Sequence, residues 1–301
     1  MTSDTPGANA ATGSNQMAIA FAALLTGAIA MGISPVFVRL ADVGSFASAF
    51  WRVAAALPLL WVWARMEQPG KGTLSGWSWP VVISGVLFAG DLFFWHLAIL
   101  NTTIANATFL ATLAPVWVLL GSSMILREKV TKPMWLGLLA CLLGAAGLVG
   151  ASLGLDPDRL VGDAYGLATS VFFGAYILAT RYVRRSLGPG GLMFRSSLVT
   201  SAILAVVALA LEPTLLPHSL KGAVALAVIA LVSHAGGQGL LAFSLGRLTA
   251  GFSALVIFLE AVTAAAVAWA VLGEQLAAMQ FLGGALILAG VWFARPRRER
   301  S

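Results

Sequence analysis

Ten stretches of about 20 mostly apolar residues follow one another along the chain, near residues 17–38, 46–64, 79–98, 104–126, 134–153, 162–180, 192–211, 222–244, 250–272 and 277–294. At about 1.5 Å of rise per residue, a helix of that length crosses the roughly 30 Å hydrocarbon core of a bilayer. With 59% hydrophobic and only 10% charged residues, a water-soluble domain of this size would hold far more apolar side chain than it could bury. The expected class is therefore an all-α membrane protein with ten transmembrane helices. Residues 1–16 are small and polar and read as a loose, disordered tail. No basic segment precedes the first apolar run, which exceeds a signal-peptide core in length, so it stays in the membrane.

The second half of the chain repeats the first. Gly90 to Glu128 returns 146 residues later as Gly236 to Glu274, with Thr103 over Thr249, Leu126 over Leu272, and the register holding through Gly137 with Gly283 and Gly144 with Gly290. Upstream the offset slips to 142 or 143, where Arg39 meets Arg181 and Trp51-Arg52 meets Phe194-Arg195. The chain thus divides into a first five-helix repeat (17–153), a linker (154–161), a second repeat (162–294) and a basic tail (295–301). Spans five and ten carry small residues spaced for close helix approach, among them Gly144, Gly147 and Gly283, and read as scaffold or dimer surface.

Basic residues set the orientation. With a cytoplasmic N-terminus, thirteen Lys and Arg fall in cytoplasmic gaps, including Arg65, Lys71, Arg127, Arg181, Arg184, Arg185 and Arg247, against Arg39, Arg159 and Lys221 on the other side. Both termini are then cytoplasmic. An odd number of spans per repeat makes the copies enter the membrane from opposite sides, the 5+5 inverted-repeat plan of many secondary transporters. The surplus of six positive charges belongs to this topology rather than to nucleic-acid binding. Trp61, Trp63, Trp77, Trp79, Trp135 and Trp292 fall near span ends, where indoles anchor at headgroup level.

A charge at mid-bilayer costs roughly 2.5–3.5 kcal/mol on insertion scales, so each one needs a partner, a wet cavity or a task. Asp91 in span three, His234 and Gln238 in span eight and Glu260 in span nine are such residues. Phe88, Asp91 and Trp95 share one helix face by their spacing of three and four, and His234 and Gln238 share another beside Gly236, Gly237 and Gly239, which let the helix kink or unwind. Asp91 aligns with Gly237 in the duplication, which puts a substrate site at the repeat interface. Asp91 either holds a substrate amine or carries a proton, or else pairs with Arg52; Phe88, Trp95 and Trp117 would supply apolar and cation-π walls. The expected substrate-binding set is Asp91, Trp95, Phe88, Trp117, His234, Gln238 and Glu260. Arg52 and Arg195, at equivalent places in the repeats, read as symmetric structural anchors, His96 as interfacial, and Glu128 and Glu274 as span-end caps or loop pairs.

The duplicated Thr103-Ile104-Ala105 and Thr249-Ala250-Gly251 segments, Ala114-Pro115 with Glu260-Ala261, and the glycine-rich fifth and tenth spans resemble the drug/metabolite transporter superfamily in its ten-helix EamA-type branch, over nearly the whole chain. The resemblance implies a central cavity lined from both halves, a bacterial inner-membrane location, and export of amino acids, aromatic and other neutral ones, or related metabolites. The alternative within the same fold is a multidrug or hydrophobic-cation exporter. Where the family carries a proline in the second repeat this chain has Ala261, which puts the bend of span nine in question. Expected partners are a small-molecule substrate and the bilayer, with protons as a candidate coupling ion and a monomer or homodimer as the assembly.

Other classes fit poorly. No G-x-x-x-x-G-K-[ST] loop is present to bind a nucleotide. Cys141 is the only cysteine and lies in an apolar run, so no internal disulfide or thiolate metal site forms, and no cofactor is expected. An intramembrane enzyme would need a catalytic pair, and Asp91 and His96, five residues apart, lie roughly 140° apart around a helix.

Overall fold

The computed structural model describes residues 6–68, 77–150, 157–273 and 277–295, and among them no strand occurs. In chain order the helices are α1 (Pro6–Gly32), α2 (Ser34–Leu40), α3 (Ser45–Ala54), α4 (Leu57–Glu67), α5 (Trp79–Asn101), α6 (Ile104–Ala111), α7 (Ala114–Met124), α8 (Lys132–Val149), α9 (Leu160–Val183), α10 (Pro189–Leu211), α11 (Leu220–Val228), α12 (Gly239–Ser244), α13 (Ala250–Ile257), α14 (Leu259–Leu272) and α15 (Ala278–Ala294), with a π-helical stretch Ile229–Gln238 joining α11 to α12. Among the described residues nine helical spans have the length and hydropathy to cross a membrane, and the apolar α15, at 17 residues, is slightly shorter. Helix α1 begins at Pro6, so residues 6–16, expected to be a loose tail, are helical. Lys71, Glu274 and the terminal Arg297, Arg298 and Arg300 lie outside the described residues, as do residues 154–156 of the expected linker.

Several spans are broken, each for a local reason. Pro35 and Pro58 sit in the first turns of α2 and α4, and Pro115 in that of α7, where the missing N–H leaves no bond to the preceding turn. Span nine breaks without a proline. Phe258 lies between α13 and α14 at φ −55° and ψ −21°, its N–H donating to the Leu255 carbonyl at 3.2 Å while Ala261 N–H donates to the Phe258 carbonyl at 3.1 Å, a tightened i→i−3 turn. Thr112, at the break of span four, is related to Phe258 by the same 146-residue offset. The bend is thus kept at the equivalent place although Ala261 replaces the proline. Span eight neither kinks nor unwinds at its glycines; it widens into the π stretch, which contains both His234 and Gln238.

Contacts between the halves exchange equivalent residues. A methyl group built on Gly144 would come within 2.5 Å of the Gly283 carbonyl oxygen, and one on Gly137 within 2.7 Å of the Gly290 carbonyl oxygen. Since Gly137 corresponds to Gly283 and Gly144 to Gly290, each glycine touches the counterpart of the other, the pattern of an isologous contact. Helices α8 and α15 therefore run antiparallel with their backbones almost touching, as small-residue stripes allow.

Carboxylates fasten other pairs. The N-caps of α3 and α10 are Gly44 and Gly188, which have no side chain to offer the first backbone amides. Glu212, just beyond α10, accepts from Phe46 N–H at 2.9 Å, and Glu67, at the end of α4, accepts from Gly190 and Gly191 N–H at 2.9 and 3.1 Å. Spans two and seven are thereby clipped to each other at both ends. Glu128 accepts from Ala250 N–H at 2.8 Å and from Arg181 Nε at 2.6 Å, so it caps α13 and also pairs in the loop. Around it Arg181, Arg184 and Arg185, at the end of α9, donate to the Leu245, Ala242 and Leu126 carbonyls, orphan acceptors near the C-terminal ends of spans eight and four. Trp61, Trp77, Trp79, Trp135 and Trp292 are exposed near helix ends, whereas Trp63 packs on Gly190 and Gly239.

Gly144→Val should lower the thermal stability of the detergent-solubilised protein by about 1–3 kcal/mol, the usual cost of overpacking. Gly284→Ala, whose added methyl meets nothing nearer than Val262 Cγ1 at 3.8 Å, should leave the melting temperature unchanged.

Candidate substrate cavity

At mid-depth the halves part around a partly open cavity of about 140 Å³. Its floor is the end where α7 packs on α13 above the Glu128 clasp; from there α6 leans on α9 and α14 on α1, leaving the space between them. The volume is close to that of cavities that hold a benzene-sized guest.

Three charged side chains face this space. Asp91 stands near the middle of α5 and is 9% exposed; Glu260 opens the first turn of α14, midway along span nine; Arg52 lies in the last turn of α3 and is 8% exposed. Arg52 Nη1 donates to Ser34 Oγ at 3.2 Å, and its buried Nε has no partner. Arg52 interacts electrostatically with both carboxylates, yet among the described residues the one ion pair within 4 Å is Glu128–Arg181. Gln238 Oε1 and Thr169 Oγ1 also line the cavity, buried and without a partner. Buried polar atoms left unsatisfied cost about 1–3 kcal/mol each, and a bound solute is one way of satisfying them. Trp95, Phe173 and Phe258 supply aromatic wall.

Of the expected set, Asp91, Trp95, Gln238 and Glu260 meet at this cavity. Phe88, Trp117 and His234 do not line it. Phe88 is 2% exposed and lies behind the wall, its ring 4.7 Å from Tyr176 and 5.3 Å from His234 between centroids. It shares a face with Asp91, but a turn earlier along α5 that face is already covered by spans six and eight. His234, fully buried, hydrogen-bonds through Nε2 to Ser197 Oγ at 2.9 Å and joins span eight to span seven. Trp117 Nε1 donates to Ser170 Oγ at 2.9 Å, which fastens α7 to α9. His96 is buried rather than interfacial, with Nδ1 donating to the Leu92 carbonyl at 2.7 Å. Arg52 and Arg195 part company: Arg195 Nη1 donates to the Gly191 carbonyl of its own helix at 2.9 Å, whereas Arg52 faces the cavity. Arg52 was legible as a charge needing a partner in an apolar span; its symmetry with Arg195 concealed that it lines the cavity. Phe173 and Thr169 carried no signal, since span six has no pattern that marks one face.

A family model described as "EamA-like transporter family" matches residues 18–150 and again 160–295. The chain belongs to the EamA-like transporter family. This makes it a multi-pass membrane transporter of small solutes, built from two repeats of that family's unit. No curated protein matches it. Twenty-nine solved chains do, and one of them, titled "Crystal structure of protein", superposes with a TM-score of 0.77 at 21% identity, over 93% of this chain and 98% of that one. That likeness shows a shared fold alone and says nothing of cargo. Among the described residues no group of three or more His, Cys, Asp or Glu is placed to hold a metal ion.

Single cysteines at Ala111 and Ala264, on opposite walls of the cavity, should react with a water-soluble maleimide in the solubilised transporter. A cysteine at Phe88 and the native Cys141, both buried, should stay unlabelled, as mass spectrometry of the intact protein will read out.

Proposed function

We propose that this transporter exports amino acids, aromatic and other neutral ones, or related small metabolites across the bacterial inner membrane by alternating access. The observation that carries the reading is the meeting of Asp91, Glu260 and Arg52 around one cavity between the repeats, with no ion pair within 4 Å among them. When all three are ionised the cavity holds one more negative charge than positive. The ammonium of a plain amine balances that excess, whereas a net-neutral amino acid leaves it to a proton, which makes the proton a candidate coupling ion. The aromatic wall suits a benzene-sized side chain.

The antiparallel, partner-exchanging contact of α8 with α15 supports a 5+5 inverted repeat, with repeats at 17–153 and 162–294 about a linker at 154–161. The excess of Lys and Arg on one face supports cytoplasmic N- and C-termini. In that orientation the clasp of Glu128 with Arg181 and Ala250 lies at the cytoplasmic end. A second reading, a hydrophobic-cation or multidrug exporter, is favoured by the same excess negative charge and aromatic wall. Altered dye tolerance of expressing cells without any amino-acid phenotype would select it.

Proteoliposomes loaded with radiolabelled phenylalanine, tryptophan and other neutral amino acids test the proposal, and flux no higher than in empty liposomes for every one of them overturns it. In the same assay Asp91→Asn should lower flux about tenfold or more, the worth of a charge-assisted contact, while Glu128→Gln, away from the cavity, loses far less. Equal activity of the two variants at equal membrane level removes Asp91 from the site.

A further inference from the structure

Arg52 is more than the counter-charge of two carboxylates. A guanidinium buried in a membrane span is expected to sit directly on its partner, because separated charges in a low dielectric leave their desolvation uncompensated. Here it does not: Ser34 holds one nitrogen, Nε is bare, and the carboxylates of Asp91 and Glu260 lie beyond ion-pair distance, though all four side chains line the same cavity. The guanidinium is a planar fork whose parallel N–H groups fit the two oxygens of a carboxylate, and part of that fork is unused. A cation alone would engage Asp91 and Glu260 and leave Arg52 unsatisfied. An anion alone would do the reverse. A molecule that carries an ammonium and a carboxylate on one carbon offers a counter-charge to the carboxylates and to Arg52 alike, and the one excess negative charge is left for a proton.

We propose that Arg52 binds the substrate's carboxylate while Asp91 and Glu260 take its ammonium, so that the cavity selects zwitterions, α-amino acids with an apolar or aromatic side chain, over plain organic cations. Ser34 acts as a positioning residue that holds the guanidinium toward the cavity. The side chain of the substrate lies along Trp95 and Phe173. This inference rests on the transport reading above and decides between its two versions, since a hydrophobic-cation carrier has no use for a cavity arginine.

The test uses the full-length protein in proteoliposomes with three probes of one shape: phenylalanine, phenylalaninamide and phenethylamine, the last two lacking the carboxylate. Wild-type transport of labelled phenylalanine should be inhibited by unlabelled phenylalanine at concentrations about ten- to a hundredfold lower than by either analogue, the discrimination of one charge-assisted bidentate contact. Arg52→Gln should lower phenylalanine flux by a similar factor and leave phenethylamine flux within about twofold, erasing the preference, and Arg52→Lys should restore part of it. Equal inhibition of the wild type by phenylalanine and phenylalaninamide overturns the assignment without recourse to a variant. So does an Arg52→Gln protein that loses both fluxes together or neither. If the wild type moves phenethylamine and not phenylalanine, the transport assignment survives in its cation form and Arg52 loses this role; if it moves neither of them, nor any other neutral amino acid, the transport reading itself has failed.

Discussion

Inside a bilayer no water is available to a backbone amide or carbonyl, so a helix can be interrupted only where protein or a wet cavity takes over its hydrogen bonds. That constraint organises the molecule. Ile33, Thr112–Leu113 and Phe258 interrupt spans one, four and nine, and Ser34, Pro35, Thr112, Ala114, Pro115 and Phe258 all line the cavity. Arg52 sits just before the interruption of span two at Ala55–Ala56, and Gln238 closes the π-helical stretch of span eight. The breaks of the spans thus mark the polar centre. By contrast α8 and α15, which have no part in the cavity, are unbroken and meet through glycines.

The same scarcity of partners explains how the bundle is fastened. Helix ends leave orphan amides and carbonyls, and here Glu67, Glu128 and Glu212 meet amides of the opposite repeat and Arg185 a carbonyl of it, while Arg181 and Arg184 meet carbonyls of their own. Glu67 and Glu212 clip spans two and seven to each other at both ends. Spans four and nine are clasped at the Glu128 end and diverge toward α6 and α14.

Polar and charged groups in hydrocarbon are conspicuous, and for that reason Asp91, Gln238 and Glu260 could be picked out of an apolar sequence as lining residues. Helical periodicity gave the direction of Phe88 but not its depth, and a residue one turn from Asp91 turned out to be covered by Tyr176 and His234. Trp117 was an aromatic of suitable chemistry whose indole N–H is spent on Ser170. Arg52 and Arg195 hold equivalent places in the sequence and yet only Arg52 lines the cavity, because equivalent places in a duplicated chain do not have equivalent neighbours.

Composition, the lengths of the apolar runs and the 146-residue offset determined by themselves that this is a helical membrane protein made of two related halves. They could do so because hydrocarbon thickness and duplication leave one-dimensional marks, a length and an interval. Which side chains meet around the cavity, that span nine bends without its proline, and that Glu67 and Glu212 cap helices of the other repeat were decided only in three dimensions. Those features depend on how far helices from opposite halves approach one another, a quantity set by the packing of glycines and side chains across the interface rather than by any single span.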